Sequence, residues 1–231
     1  MIVASLDNDP CQVLFADDAA PIERHRGTST WCGFYWTEGN RGLGWTIDGV
    51  PTLKAGSTIG IPSAPAMYRP RDGAFLTPAI EHAEVLQGFE PHWTGSVDRH
   101  SGFRPSMRWK LVGNAVSVPV SRWVANRIKR PAPPIVPLDS NQLLSGGKWP
   151  KAGYGHSGTR HAVECTEFPQ LHAYTPLSTL IRHSSVQPKP LSHRASSGIL
   201  NRLHRSSLRT DDDLIPALEK WVRLYSLNKN S

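Results

Sequence analysis

The sequence predicts a loop-rich α+β fold, and three observations lead there. Twenty prolines and nineteen glycines among 231 residues leave little room for long regular elements. Hydrophobic residues make up 39% and charged residues 19%, an ordinary globular balance. Helical spacing of apolar residues begins only after about residue 76, and the chain before it is dominated by turn-forming residues. The length suits one large domain or two small ones.

The first 75 residues predict brief strands joined by tight turns. Trp31, Trp36 and Trp45 alternate there with closely spaced glycines, a pattern that disfavours helix. We expect these tryptophans to lie in a core, with base stacking as the alternative.

Two helices are predicted next. Thr77 suits an N-cap before Pro78, and Gly88 suits the helix end. A second helix begins near Pro119, with Ser117 as its cap. One apolar stripe is predicted from residues that recur at three- and four-residue intervals: Val116, Val120, Trp123 and Val124, then Arg127 and Ile128.

The rest of the chain is predicted to be a proline-rich linker followed by a basic block. Residues 168–210 contain no Asp or Glu, yet they carry Arg182, Lys189, Arg194, Arg202, Arg205 and Arg209. This stretch predicts either a face that follows DNA phosphates or a merely solvated basic surface. A final helix is expected from about Asp211, with an acidic first turn and a buried face. That face comprises Leu214, Leu218, Trp221, Val222 and Tyr225.

The overall charge is basic, with a net value of +7 and an isoelectric point near 9.6. Such a balance favours a polyanionic partner, most often nucleic acid, although a merely soluble basic protein is the alternative. Three scattered cysteines without a C-x-x-C pair predict no metal site and no disulfide framework. No signal peptide and no run approaching about 18 apolar residues is present, so we expect no membrane partner and a cytoplasmic protein.

Two segments carry a specific family resemblance. LTPAIEHAEVLQGFEPHW at 76–93 resembles motif IX of DNA (cytosine-5-)methyltransferases, and RWKLVGNAVSVPVSRWVANRI at 108–128 resembles their motif X. Their order and spacing make the joint match much stronger than either alone. The chain thus resembles the C-terminal part of a bacterial- or phage-type enzyme of this family. The resemblance implies helices that, in the full family, close an α/β, Rossmann-like methyltransferase domain.

The resemblance divides the chain into four segments. Residues 1–75 would form the target recognition region, and residues 76–129 the motif IX and motif X helices. Residues 130–148 would be the linker, and residues 149–231 a basic extension found in a subset of these enzymes.

The resemblance also implies roles for individual residues. Thr52 and Leu53 would be the characteristic Thr-Leu pair that contacts DNA near a flipped base, although they could simply begin a strand. Arg41 and Lys54 could meet phosphates. The structural residues of motif IX are Thr77, Glu84, Gln87 and Gly88. The residues expected to line the cofactor pocket are Asn114, Ala115 and Val116.

The family's catalytic segments are missing from the sequence. Neither the G-P-P-C-Q loop with the nucleophilic cysteine, nor the E-N-V segment, nor the F-x-G-x-G cofactor loop occurs. Cys11 in Pro10-Cys11-Gln12 lacks the flanking residues and lies on the wrong side of the recognition region. We therefore expect an incidental thiol near a strand and no catalytic residue in this chain. S-adenosylmethionine would bind only together with a catalytic half.

Two departures from motif IX predict looser contacts of its helix. Val85 occupies the position of an expected arginine, and Ala74 that of another. Three functions remain open: the recognition half of a split methyltransferase acting on double-stranded DNA, an inactive truncated remnant, or a stand-alone DNA-binding module.

Overall fold

A computed structural model of the chain describes residues 2–20, 27, 30–35, 42–54, 65–104, 106–135, 138, 141–142, 148 and 150–227. The chain forms two compact units. Unit 1 comprises Met1–Glu23 with Ser117–Tyr174, and unit 2 comprises Arg24–Val116 with Thr175–Ser231. Small antiparallel sheets, short helices and many connecting loops confirm the predicted α+β class.

The elements are short, as the abundance of proline and glycine predicts. The helices are α1 (Cys11–Leu14), α2 (Ile80–Gln87), α3 (Ser106–Asn114), α4 (Val118–Lys129), α5 (Leu177–Arg182), α6 (His193–Arg205) and α7 (Leu214–Leu227). The strands are β1 (Cys32–Phe34), β2 (Thr46–Ile47), β3 (Ala66–Arg69), β4 (Ala74–Thr77), β5 (Asn141–Gln142), β6 (Gly153–His156), β7 (Thr159–Ala162) and β8 (Lys189–Pro190). A single 3₁₀ segment, Gly95–Arg99, lies between α2 and α3 in the described chain.

Unit 2 is built on an antiparallel sheet with the strand order β2-β1-β3-β4-β8. Side chains alternate between its two faces because successive residues of a strand point in opposite directions. Tyr68 and Phe75 belong to the core that contains the buried residues of α6 and α7. Met67 and Leu76 belong to a second core, with Leu177 of α5. The sheet is therefore covered on both faces.

Helix α6 covers its face of the sheet through a single apolar stripe. Ala195, Ile199 and Leu203, spaced four residues apart, are at most 5% exposed. Ser192 caps the helix by accepting a hydrogen bond from the Ala195 amide at 3.3 Å. The last part of the chain is thus an integral layer of unit 2.

The compact units do not coincide with the four predicted segments. Residues from the predicted extension lie in both units, and the two motif X helices are divided, with α3 in unit 2 and α4 in unit 1. The family roles of the four segments stay predictions, because the division into compact units does not test what a segment does.

Unit 1 combines α1 and α4 with a three-stranded antiparallel sheet in the order β5-β7-β6. Helix α4 begins as predicted, with Ser117 at the N-cap position and Pro119 in the first turn, although Ser117 makes no side-chain capping bond. Of the predicted stripe, Trp123 is buried, whereas Val120 and Ile128 are 37% and 61% exposed. The described part of the chain contains no helix with the length and apolar character needed to cross a membrane.

Two predicted details are wrong, and a third is confirmed. Thr77 is the last residue of β4 rather than the N-cap of α2, which is Ala79. Pairing of Thr77 with Lys189 holds it extended, and the following Pro78 also disfavours helical geometry. Helix α7 starts at Leu214, so the acids beginning at Asp211 precede its first turn. Cys11 lies in α1, and its cluster includes Tyr154 of β6, so the expected position near a strand is confirmed.

The predicted core positions are largely confirmed. Trp31 is buried, and Trp45 packs against the core of unit 2, while Trp36 lies outside the described residues. Leu214 and Leu218 are fully buried, and Trp221 packs beside them. The Tyr225 side chain lies outside the described part of the chain.

Replacing Ile199 with alanine tests whether helix α6 stabilises the sheet of unit 2. Removing this side chain should lower the free energy of unfolding by about 2–5 kcal/mol, because it leaves a cavity in the core. Urea unfolding followed by tryptophan fluorescence provides the measurement. Asn201→Ala, at an exposed position of the same helix, is the control and should stay within about 0.5 kcal/mol. Equal stability of the two variants would contradict this packing.

Candidate functional site

The central feature of the motif IX region is a buried carboxylate. Glu84 of α2 is fully buried and accepts hydrogen bonds from the backbone amides of His92 at 2.6 Å and Thr94 at 2.9 Å. The Thr94 hydroxyl also donates to it. Arg108 of α3 completes the set through its Nη2 atom, 3.0 Å from Glu84 Oε1. One side chain therefore joins α2, the following turn and α3.

Arg108 is itself surrounded by acceptors. Its Nε atom donates to Thr94 Oγ1 at 2.9 Å, and Nη1 lies 3.2 Å from Glu81 and 3.6 Å from Asp98. Burial raises the pKa of Glu84, but bonds from Thr94 and Arg108 outweigh it, so the pKa lies below its usual value. Burial likewise lowers the pKa of Arg108, but bonding to Glu84 outweighs it and the pKa is raised. Both groups are held in their charged forms.

Gln87 and Gly88 hold the end of the motif IX helix. The Gln87 amide donates to the carbonyl oxygens of Val112 at 3.2 Å and Ala115 at 2.8 Å, at the C-terminal end of α3. Gly88 takes a left-handed conformation with φ 89°, and its amide bonds back to Val85, while Phe89 bonds to Glu84. This is a Schellman ending, which favours glycine because a Cβ is strained there. The predicted helix end at Gly88 is confirmed.

The residues expected to line a cofactor pocket lie just beyond that anchor. Asn114 ends α3 with an exposed side chain, Ala115 is half-buried, and Val116 is 60% exposed. Because Gln87 occupies the Ala115 carbonyl, the turn is held in place from behind. The Asn114 amide and the apolar Val116 side chain remain exposed. The predicted role of these residues in a cofactor pocket stays a prediction.

The two residues of the Thr-Leu pair differ in their burial. Thr52 is exposed, but Leu53 is only 6% exposed and packs against Ala83 and Val112. The Leu53 side chain belongs to the core shared with α2 and α3, so its predicted role beside DNA would depend on its backbone, and that role stays a prediction. Arg41, predicted to meet phosphates, lies outside the described residues.

Tyr35 fixes the backbone around Thr52. Its hydroxyl donates to the Thr52 carbonyl oxygen, and the ammonium group of Lys54 lies 3.9 Å from the centre of its ring. A cation at this distance from an aromatic face gains about 0.5–1 kcal/mol at an exposed site. Lys54 is exposed and held close to Thr52. Around the Thr-Leu pair, the side chains that face solvent are thus the Thr52 hydroxyl and the Lys54 cation.

Unit 1 contains a second anchored carboxylate and a cavity. Asp17 accepts from the Trp123 indole at 2.8 Å and from two Arg127 nitrogens at 2.6 and 2.8 Å, which fixes α4. A cavity of about 400 Å³ lies beside Asp17 and Trp123, and its wall also contains Val120 and Phe168. Its lining contains none of the three predicted cofactor residues.

The chemistry of Cys11 does not suit a nucleophile. The thiol is 3% exposed, and burial together with the hydrogen bond and charge of Asp9 raises its pKa to about 12. A thiolate is the reactive form, and catalytic cysteines have lowered pKa values. No cluster of three or more potential metal ligands occurs in the described ranges.

The predicted loosening of the α2 helix by the two departures stays a prediction. Val85 is half-buried on α2, and Ala74 lies in the core of β4. A guanidinium still reaches the motif IX helix, because Arg108 supplies it from motif X. Sequence reasoning missed both Arg108 and Thr94. The two segments contain several acids and several bases, so the sequence signals a charge pair without identifying Glu84 and Arg108 as its members.

Comparison with known proteins supports a methyltransferase. The chain is similar to the Type II methyltransferase M2.BsuMI of Bacillus subtilis (strain 168), with 34% identity over 227 residues. The match covers 95% of this chain and 57% of that protein, so the chain spans somewhat more than half of its relative's length. No family model and no solved structure matches the chain.

Glu84→Gln should destabilise unit 2 strongly. The change leaves the buried Arg108 charge without its partner, which typically costs about 3–5 kcal/mol. The free energy of unfolding from urea titration is the measurement. Asp98→Asn, at the 44% exposed and more distant partner of Arg108, is the control and should cost at most about 1 kcal/mol. A similar loss in both variants would show that Glu84 has no special role.

The same carboxylate predicts an acid dependence of stability. Because the folded pKa of Glu84 lies below its unfolded value of about 4.3, its contribution is present above that pH and is lost as the pH falls through the folded pKa. The stability difference between the wild type and Glu84→Gln should therefore be constant near neutral pH and shrink below about pH 4. Urea titrations at several pH values measure it. A difference that does not change with pH would contradict this account.

Proposed function

We propose that this chain is the DNA-recognition and cofactor-pocket-completing part of a DNA cytosine-5 methyltransferase. The observation that supports the proposal most directly is the bonding of the motif IX helix to the motif X turn. Gln87 and Glu84 join these two segments at the residues by which the sequence resembles the family. The similarity to a methyltransferase over 95% of the chain points in the same direction.

DNA recognition would come from the exposed residues around Thr52. The Thr52 hydroxyl and the Lys54 ammonium group face solvent, and both are groups that bind phosphate oxygens. Burial of Leu53 and the Tyr35 hydrogen bond fix the backbone that carries them. Arg41 would add a further phosphate contact. A rigid loop loses little conformational entropy on binding, which favours affinity.

The Asn114–Val116 turn would supply one wall of an S-adenosylmethionine site. When bound, this cofactor supplies the methyl group that is transferred to carbon 5 of cytosine. Asn114 would orient the ligand through its amide, and Val116 would exclude water from one side of it. The Gln87 bond to Ala115 would keep the turn in place while the rest of the pocket closes.

The chemistry would require a catalytic half that carries the cysteine, glutamate and glycine-rich segments absent from this sequence. Cys11 is a poor substitute because its buried thiol stays protonated near neutral pH. The incomplete apolar coverage of α4, where Val120 and Ile128 are exposed, is consistent with such a partner.

A stand-alone DNA-binding module is the second candidate, and one observation favours it. The C-terminal elements of unit 2 cover both faces of its sheet, so the recognition region has a complete core of its own. An inactive truncated remnant is the third. The three candidate functions predict different results for methyl transfer and for DNA binding.

The chain alone should not transfer methyl groups. Incubation with labelled S-adenosylmethionine and mixed-sequence duplex DNA should give no labelled DNA, whereas addition of a half that carries the three missing motifs should give activity. Cys11→Ser should leave the reconstituted activity unchanged, because this thiol is buried and protonated. Activity of the chain alone would overturn the division of roles. DNA binding without reconstitution would favour the stand-alone module, and neither property would favour the remnant.

A further inference from the structure

The exposed side of α6 carries a basic face that the proposed function does not use. Arg194, Gly198, Asn201 and Arg205 lie at intervals of four, three and four residues and are all exposed. We call these four residues the α6 basic face. The opposite side of the helix is the buried stripe that packs on the sheet, so this face is turned to solvent.

The cations of this face are available for a ligand. Neither Arg194 nor Arg205 forms an ion pair within the described part of the chain. The neighbouring acid on α7, Glu219, lies 3.3 Å from His204 and 4.0 Å from Arg223. The stretch from residue 168 to residue 210, which contains all of α6, carries no Asp or Glu.

The middle of the face permits a close approach. A Cβ added at Gly198 would meet nothing within 4 Å, so the helix surface there is open. The neutral Asn201 amide lies one turn further along and can bond a phosphate oxygen. Arg194 and Arg205 are eleven residues apart, or about 16 Å along a helix.

We propose that the α6 basic face binds the phosphate backbone of duplex DNA without reading its sequence. Phosphates of one strand recur every ~3.4 Å along the duplex axis while winding around it, so the two arginines at the ends of the face would each meet a separate phosphate. A membrane surface is less suitable, because the large apolar residues Ile199 and Leu203 of α6 are buried in the core. This inference rests on the proposed DNA-directed function and adds a contact to it outside the Thr52 region.

Gly198→Glu and Gly198→Gln form a matched pair for the first test. Both side chains fit into open space and both favour helix more than glycine does, so neither should impair folding. They differ by one negative charge in the middle of the face. Binding of the full chain to a labelled 30-base-pair mixed-sequence duplex at low salt should be at least about tenfold weaker for Gly198→Glu than for Gly198→Gln.

The double variant Arg194→Gln/Arg205→Gln provides an independent readout. Each lost phosphate contact should reduce the slope of log affinity against log salt by about 0.9, so the slope should fall by about two. Arg71→Gln/Arg122→Gln changes the net charge equally at exposed positions outside α6 and should leave the slope nearly unchanged. Thermal unfolding of each variant confirms that it is folded.

The outcomes separate this inference from the proposed function. If the wild type binds duplex and all variants bind equally with the same salt slope, DNA binding by the α6 basic face is disproved. The proposed function then still stands. If the wild type shows no salt-dependent binding, both fail. If binding to anionic lipid vesicles depends on α6 while binding to duplex does not, the face serves a membrane and this inference is overturned.

Discussion

The ion pair between Glu84 and Arg108 is the constraint on which the rest of the motif region depends. Two charges buried in this way are stable only when nearly every polar atom has a partner. Thr94 and the backbone of His92 supply those partners, so the turn after α2 must adopt one conformation. That turn in turn sets the direction of α3, and Gln87 fixes where α3 ends. The position of the Asn114–Val116 turn follows from these bonds.

The sheet of unit 2 depends on elements that come much later in the chain. Strands this short have little stability alone, since a sheet needs an apolar face covered by another layer. Helices α6 and α7 cover one face, α5 covers the other, and β8 adds an edge strand next to β4. A segment that resembles an extension is thus required for the fold of unit 2.

The buried titratable groups hold structure or stay uncharged. Glu84 and Arg108 bond to each other and to Thr94. The buried thiol of Cys11 is stabilised in its protonated form. Thr52, Lys54 and Asn114, by contrast, are an exposed hydroxyl, cation and amide, which are groups that bind phosphates.

The sequence by itself determined the α+β class, the short strands, both motif segments, the Gly88 helix end and the start of α4. These follow from local physics: periodic apolar residues, a left-handed helix ending and proline in a first turn. Only the tertiary structure decided that Leu53 is buried, that Thr77 belongs to a strand and that Arg108 pairs with Glu84. Each of these depends on partners far away in the chain, such as Lys189 for Thr77. Local propensity cannot encode which distant residue supplies a strand partner, a buried counter-charge or an apolar wall.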